Sequence, residues 1–303
     1  MSNYTNFQYG DDKNKPWYKI IGQISANTRV LDIGCSSGSL GELLKKEKGC
    51  QVVGVDLDKD DIEIAKKKLD QAFVLNIESD ELGILGTFDF VIFADVIEHL
   101  VDPVGVLKRV KTLLNSKGSV LFSIPNMAHM STRLMLLKGR FKYGEIGLLD
   151  KTHIHFYDKE EIERVFNSAG YGIEVFDWVE RYLPEDLVAQ QLQELGLTGS
   201  KDFFDMNKSI EALAYEYVGK AVPGGKVIQK QLDFISPYAT ETEERVSDIK
   251  KSYENRLVAY QKSAKREIRE LREQNVALTS SASWKLTKPL RVTNGRLKRK
   301  GKR

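Results

Sequence analysis

The sequence has few cysteines, few histidines and no long apolar run. Its 303 residues include two cysteines, Cys35 and Cys50, whose spacing matches neither a disulfide framework nor a zinc cluster. No apolar stretch approaches the roughly 20 residues that a membrane-spanning helix needs, and the polar start lacks the layout of a signal peptide. We therefore expect a cytoplasmic protein with reduced thiols.

Acidic residues are absent from residues 281–303, which carry nine Lys or Arg. The other 280 residues hold 37 basic and 43 acidic side chains, a net charge of −6, so attraction to anionic partners is confined to this basic tail. Trp284 and several aliphatic residues alternate with the cations. This pattern favours an anionic membrane surface over nucleic acid, because single-stranded nucleic acid needs several stacking aromatic side chains. A solvated tail without a partner is the alternative.

Apolar segments typical of strands alternate with amphipathic helical patterns over residues 29–125. This alternation predicts an α/β fold in which helices cover both faces of a mostly parallel sheet. Asp58 and Asp102 stand where helix N-caps are needed, and Pro103 suits a first helical position. The alternation stops after Asn126. Residues 126–157 then form an insertion beyond the carboxyl end of a central strand, where a substrate-covering lid would lie.

Two late strands that flank a helix follow the insertion, so we assign residues 1–237 to the α/β domain. Residues 238–280 contain no Gly or Pro and are rich in charged side chains, which predicts a helical extension. A heptad spacing within it predicts a coiled coil, and with it a homo-oligomer. The seam positions are Leu257, Gln261, Ala264, Ile268, Leu271, Asn275 and Leu278. A solvated helix lying against its own domain is the alternative.

The segment VLDIGCSSGSLGELL, residues 30–44, breaks an apolar run with three glycines. A phosphate-binding P-loop would need Lys followed by Ser or Thr after its last glycine, but Ser39 and Leu40 follow Gly38. The spacing of the glycines also differs from the dinucleotide fingerprint, and Asp32 would repel a pyrophosphate. The loop therefore suits a ligand without phosphates at this point, and one that carries positive charge.

Several motifs, taken together, resemble those of the class I S-adenosylmethionine-dependent methyltransferases. The loop matches the first motif of that family, with Ser36 in place of the usual middle glycine, and FDFVIFADVIEHL and SVLFSIPN match the fourth- and fifth-strand motifs. The resemblance implies a Rossmann-like, seven-stranded, mostly parallel sheet and S-adenosylmethionine as cofactor. It also implies that Asp56 holds the ribose. The other implied cofactor-binding residues are Asp32, Gly34, Cys35, Gly38, Leu57, Asn76 and Asp95.

All four histidines follow the fourth or fifth strand motif or lie in the insertion. Methyl transfer to a hydroxyl requires a group that handles the acceptor's proton, so His99, His153 and His155 are the candidate catalytic residues. Asp95, Glu98 and His99 have a spacing that one helical turn would bring to one face. With His153 they form a candidate site for a divalent metal, in a pattern that resembles ubiquinone-pathway O-methyltransferases and small-RNA 2′-O-methyltransferases. Metal binding, a direct histidine base and a purely structural role stay open.

The tail segment SSASWKLTKPLR resembles a segment of bacterial cell-surface polysaccharide glycosyltransferases and their associated methyltransferases. Thr152 and His153, with Tyr157, resemble a segment of methyltransferases that act on small metabolites and sugars. We therefore expect O-methylation of a sugar hydroxyl on a glycan or lipid-linked intermediate, so that the partner is a glycan or small-molecule acceptor, by a protein at the inner face of the membrane. An RNA 2′-O-methyltransferase and a non-catalytic scaffold in a glycan-assembly complex are the alternatives.

Overall fold

The structure is a computed structural model that describes residues 14–224 and, further along the chain, Arg266, Arg269 and Glu273. The chain divides into two compact units, Met1–Ala239 and Thr240–Arg303. Arg266, Arg269 and Glu273 belong to the second unit, where they are helical and exposed. The predicted seam positions and the basic tail lie outside the described residues. None of the described helices is long and apolar enough to span a membrane.

The described residues of the first unit form a seven-stranded sheet with the order β3-β2-β1-β4-β5-β7-β6. All neighbouring strands are parallel except β7, which runs antiparallel to both β5 and β6. The strands are β1 (Arg29–Ile33), β2 (Gln51–Asp56), β3 (Gln71–Val74), β4 (Phe88–Ala94), β5 (Leu114–Pro125), β6 (Tyr171–Glu180) and β7 (Ala214–Pro223). The prediction of a seven-stranded, mostly parallel sheet is confirmed.

Helices connect the strands, and three lie between β6 and β7. They are α1 (Pro16–Gly22), α2 (Ser39–Lys48), α3 (Lys59–Ala65), α4 (Pro103–Val110), α5 (Met130–Leu137), α6 (Lys159–Ser168), α7 (Glu185–Gln193), α8 (Lys201–Met206) and α9 (Ile210–Leu213). The predicted caps are confirmed, since the carboxylate of Asp58 accepts hydrogen bonds from two backbone N–H groups of α3, and that of Asp102 from Gly105.

Both faces of the sheet are buried, because consecutive residues of a strand point to opposite faces. In β1, Leu31 and Ile33 belong to one apolar core, and Val30 belongs to the other. In β4, Val91 and Phe93 lie in the first core, while Phe90 and Ile92 lie in the second. This double burial explains why the strands read as continuous apolar runs.

The helix α3 is shorter than its sequence pattern predicts. The amphipathic pattern continues to Leu69, but the helix ends at Ala65 and the following residues form turns. The turns carry Leu69 back beneath the glycine loop, where its side chain would lie 2.5 Å from a Cβ atom on Gly41. Packing against the loop therefore outweighs the helical pattern.

The insertion between β5 and α6 is closed at its base. Asn126 pairs with Tyr157 in an isolated bridge, and the N–H of Met127 donates to the Tyr157 carbonyl over 2.8 Å. Within it, α5 packs through Met130 and Leu134 against Val188 and Leu192 of α7, in a small apolar core of its own. The insertion thus packs through α5 against the helices between β6 and β7.

Candidate active site

The loop between β1 and α2 runs through three residues in the left-handed backbone region, with φ of 71° at Gly34, 46° at Ser36 and 77° at Gly38. A Cβ atom on Gly34 would lie 2.6 Å from Val96, and one on Gly38 would lie 3.1 Å from Ala65. Both positions therefore require glycine for space as well as for conformation. The N–H groups of Gly34 and Cys35 donate to the Val55 carbonyl, which ties the loop to β2.

The contacts of Ser36 explain how a serine can occupy the position where the family usually has a glycine. Its hydroxyl donates to the buried carboxylate of Asp61 over 2.9 Å, and its N–H donates to Asp56 over 2.8 Å. A left-handed conformation costs a residue with a side chain roughly 1–2 kcal/mol, which is comparable to the gain from a hydrogen bond to a charged group. The hydroxyl therefore offsets the strain that a serine brings to this position.

Two carboxyl groups lie at the ends of β1 and β2. Asp32 is buried, and its Oδ2 atom has no hydrogen-bond partner among the described residues. Burial, and then the charge of Asp56, raise the pKa of Asp32 from 3.8 to about 7. Asp56 accepts from the N–H groups of Ser36 and Asp58, which fixes the orientation of its carboxylate. Cys35, which follows Gly34 in the loop, carries a neutral thiol, because burial raises its pKa.

A cavity of about 610 Å³ opens at the carboxyl ends of β1, β2 and β4, a size suited to a ligand of nucleoside dimensions. The predicted cofactor-binding residues that line it are Asp32, Gly34, Cys35, Asp56, Leu57, Asn76 and Asp95. Gly38 shapes the loop without lining the cavity. The sequence thus identified one continuous wall of this cavity.

Of the four histidines, His99 lines the cavity. Its Nδ1–H donates to the Thr152 carbonyl over 3.0 Å, which leaves Nε2 with a free lone pair. His153 is buried, and its ring lies edge-on to that of His99 at a centroid distance of 4.9 Å. Burial, and then His99, lower the pKa of His153, so its imidazole is neutral. The insertion thus reaches His99 through Thr152 and His153.

Glu98, His99 and His153 each offer one ligand atom, and these three atoms lie within 4.8 Å of one another. Nε2 of His153 lies 3.9 Å from Oε1 of Glu98, and neither carboxyl oxygen of Glu98 has a hydrogen-bond partner within the described residues. Burial, and then Asp95, raise the pKa of Glu98 well above 4.5. Two imidazoles held through their Nδ1 atoms and one buried carboxyl form a donor set that fits a divalent cation.

The prediction that one helical turn brings Asp95 onto the same face as Glu98 and His99 is wrong. Asp95 has a φ of 55° and precedes a short 3-10 turn, Ile97–His99. Its carboxylate instead accepts from the Ser123 hydroxyl over 2.8 Å, so it is outside the three-residue cluster. A left-handed residue at the end of β4 redirects the chain, which the i, i+3, i+4 spacing could not reveal.

His155 and the insertion also differ from expectation. The ring of His155 lies 6.1 Å from that of Tyr157 and lines neither the cavity nor the cluster. Among the described residues, no member of the segment 126–157 lines the cavity, although the sequence predicted a substrate-covering lid there. The reason is packing, since α5 turns its apolar face towards α7.

The late strands contribute cavity residues that the sequence analysis did not identify. Glu180, Arg181 and Glu216 come from the ends of β6 and β7, and Ser123 comes from β5. Burial, and then Asp95, raise the pKa of Glu216 well above 4.5. The one available signal was an acid within the apolar strand AYEYVGKAV, because buried acids rarely occur without a purpose.

The strand order, the left-handed glycine loop and the acid at the end of β2 define a nucleoside-binding site of the class I methyltransferase type. The model of a family described as "Methyltransferase domain" matches residues 11–174, more than half of the chain. The chain belongs to this family and is an S-adenosylmethionine-dependent methyltransferase, with S-adenosylmethionine as its cofactor.

Curated relatives include a ubiquinone biosynthesis O-methyltransferase of Acinetobacter baylyi, 32% identical over 108 residues, which are 33% of this chain and 45% of that protein. The corresponding protein of Idiomarina loihiensis is 28% identical over 52% of this chain and 72% of its own length. The chain thus spans less than half of the Acinetobacter protein. Among solved structures, an S-adenosylmethionine-dependent methyltransferase of Archaeoglobus fulgidus aligns with a TM-score of 0.47 and 18% identity, over 67% of this chain and 89% of that one.

Proposed function

We propose that the protein transfers the methyl group of S-adenosylmethionine to a sugar hydroxyl of a cell-surface glycan or its lipid-linked precursor. The observation that carries this proposal is the polar wall of the cavity beyond the cofactor residues. Ser123, Glu180 and Glu216 line it together with His99. A polyhydroxylated acceptor needs many hydrogen-bond partners, and carboxyl groups accept from neighbouring hydroxyls. The resemblance of the tail to polysaccharide-assembly proteins supports the same acceptor class.

The reaction is an in-line displacement, so positioning and proton handling are the tasks of the protein. The acceptor oxygen bonds to the methyl carbon while the carbon–sulfur bond breaks, and the sulfur leaves as the neutral thioether of S-adenosylhomocysteine. The acceptor hydroxyl gives up its proton. Nε2 of His99 takes this proton, because Nδ1–H is already committed to the Thr152 carbonyl. His153 packs against the ring and holds its orientation.

A divalent cation is the alternative means of handling the proton. Glu98, His99 and His153 would hold it, and a bound cation would lower the pKa of the acceptor hydroxyl as a Lewis acid. His99 cannot serve as ligand and base through the same nitrogen. Activity that disappears after chelation and returns with one divalent metal would favour the cation, whereas full activity in a chelator favours the direct base.

A second candidate acceptor comes from ubiquinone biosynthesis, the pathway named for the Acinetobacter and Idiomarina relatives. Those matches leave about half of this chain or more uncovered. They support methyl transfer to oxygen more strongly than they support a particular acceptor.

The test follows labelled methyl groups from S-adenosylmethionine into separated envelope glycans, lipid-linked saccharides, quinone precursors and RNA. We expect label in the saccharide fractions, in a form that resists mild alkali because it is an ether. His99→Ala should lower kcat by about 100-fold or more. His155→Ala is the matched control and should retain activity, since His155 is outside the cavity wall. Label confined to RNA or to quinone precursors would refute the sugar acceptor.

A further inference from the structure

Arg181 is one of two cations, with Lys15, in the wall of a cavity whose other charged side chains are mostly acidic. It is the first residue after β6, its side chain is exposed, and it lines the cavity. Its Cζ atom lies 3.6 Å from the centre of the Tyr215 ring, so the guanidinium stacks over the ring face. Stacking holds the planar fork in one orientation and leaves its N–H groups available at the edge.

The backbone of Arg181 is fixed on both sides. Its N–H donates to the Leu213 carbonyl over 2.9 Å, and its carbonyl accepts from Nε2–H of His129 over 2.7 Å. His129 is buried, packs edge-on against Tyr215, and keeps a neutral ring because burial lowers its pKa to about 4. Two side chains and one backbone carbonyl thus support the position of this arginine, which is the preorganisation that a binding group requires.

The guanidinium of Arg181 forms no ion pair within the described residues. In the part of the chain that the structure describes, no salt bridge joins its guanidinium to an acid, although Arg164 and at least nine lysines have such partners. A stacked arginine with free N–H groups presents the fork geometry that matches the two oxygens of a carboxylate or a phosphate. The side chain of Arg181 is therefore suited to bind an anion.

The position in the sheet assigns this anion to the acceptor rather than to the cofactor. Gly34 and Asp56 form the cofactor wall at the ends of β1 and β2, whereas Arg181 follows β6, four strands away from β1 in the sheet order. Neighbouring strands are about 4.8 Å apart, so the two walls are separated by the width of several strands. Glu216 and Ser123 lie on strands between them.

We propose that Arg181 binds an oxyanion of the acceptor, so that the methylated sugar is an anionic one that bears a phosphate or a carboxylate. This inference rests on the proposed function, since it names the class of sugar that the site accepts. Arg181 is then a specificity-determining residue. The carboxyl groups on β7 and at the end of β6 accept from the sugar hydroxyls, and Tyr215 and His129 position the guanidinium.

The experiment measures binding of three probes to the protein loaded with S-adenosylhomocysteine: glucose 1-phosphate, glucuronate and neutral glucose, at constant ionic strength. We expect at least one charged probe to bind more tightly than glucose. Arg181→Gln should weaken that probe about 10- to 100-fold, as loss of a charge-assisted bidentate pair predicts. Arg181→Lys should recover part of the affinity, because a lysine keeps the charge without the fork. The phosphate and carboxylate probes distinguish the two sources of the anion.

Arg140→Gln is the control, because Arg140 is an exposed arginine that does not line the cavity. Equal affinity for charged and neutral probes, or an equal loss in Arg140→Gln, would overturn the inference. A loss of S-adenosylhomocysteine affinity in Arg181→Gln would overturn it too, by assigning the arginine to the cofactor's carboxylate. Arg181-dependent anion binding without methylation of any glycan would instead count against the sugar acceptor and leave the anion site standing.

Discussion

At the scale of single residues, Asp32 shows a conflict between stability and binding. The carboxyl is buried with one oxygen lacking a hydrogen-bond partner in the described chain, and its pKa is about 7. Since the unfolded pKa is 3.8, the unfolded chain releases this proton first as the pH rises. Stability therefore falls between pH 3.8 and 7, and the penalty is complete above pH 7. A cationic cofactor beside Asp32 would favour the ionised form and reverse this penalty.

Asp32→Asn should therefore separate the two effects. We expect the variant to be more stable than the parent above pH 7, by on the order of 4 kcal/mol at most, at about 1.4 kcal/mol for each unit of pKa shift. It should also bind S-adenosylmethionine more weakly. In the parent, affinity for S-adenosylmethionine should increase by up to about tenfold for each unit by which the pH rises towards 7. Above pH 7 it should level off. Calorimetry at pH 6, 7 and 8 and denaturant unfolding measure both quantities.

Asp89→Asn is the control, because Asp89 lies near the opposite end of β4, does not line the cavity, and keeps one of its two accepted hydrogen bonds as an asparagine. A parent whose affinity does not change with pH, or a variant less stable than the parent at pH 8, would contradict this account of Asp32.

At the scale of helices and strands, the sequence predicted those features that depend on residues close together in the chain. Apolar runs, the Asp58 and Asp102 caps and the glycine loop indicated the sheet from β1 to β5 and the cavity wall at the ends of its first strands. Long-range packing decided the rest. The end of α3 depends on Leu69 packing beneath the loop, and the place of Arg181 depends on contacts with His129 and Tyr215, more than 30 residues away on either side. No sequence periodicity records such contacts.

The strand β2 and the glycine loop are coupled through Gly54. A Cβ atom there would lie 2.6 Å from Sγ of Cys35 and 2.6 Å from Leu69. Gly54→Ala should therefore cost about 1–3 kcal/mol of stability and weaken S-adenosylhomocysteine binding, because Cys35 and the loop must move. Adding Cys35→Ala should recover part of both losses, and a double-mutant cycle with calorimetry measures this coupling.

Gly22→Ala provides the matched control, because a Cβ atom on Gly22 meets nothing within 4 Å. Strictly additive effects of Gly54→Ala and Cys35→Ala would show that the strand and the loop are not coupled in this way.

At the scale of the whole molecule, charge is segregated along the chain. Residues 281–303 contain nine Lys or Arg and no acidic residue, while the remaining 280 residues have a net charge of −6. An anionic membrane surface attracts the basic tail and repels the acidic residues 1–280. We therefore propose that the tail, with Trp284 among its cations, holds the enzyme at the inner membrane surface, near lipid-linked acceptors.

Deletion of residues 281–303 should abolish flotation with phosphatidylglycerol vesicles and leave S-adenosylhomocysteine affinity unchanged. The full chain should float with these vesicles and not with phosphatidylcholine alone, and salt should release it, because ions screen the attraction. A full-length variant with the nine cations replaced by glutamine controls for tail length. Flotation that survives the deletion would place membrane attachment elsewhere, and salt-sensitive retention of RNA instead would favour the nucleic-acid partner.

The fixed base of the insertion determines which changes in sequence the enzyme can tolerate. The amide of Asn126 donates to the carbonyls of Glu211 and Ala214, and its backbone pairs with Tyr157, so the two ends of the segment are fixed side by side. Residues gained or lost between these ends alter a loop whose closure cost grows slowly with length, while β5 and α6 stay in place. The segment can therefore change without rebuilding the cofactor site, and such a change reaches the cavity through the contacts that Thr152 and His153 make with His99.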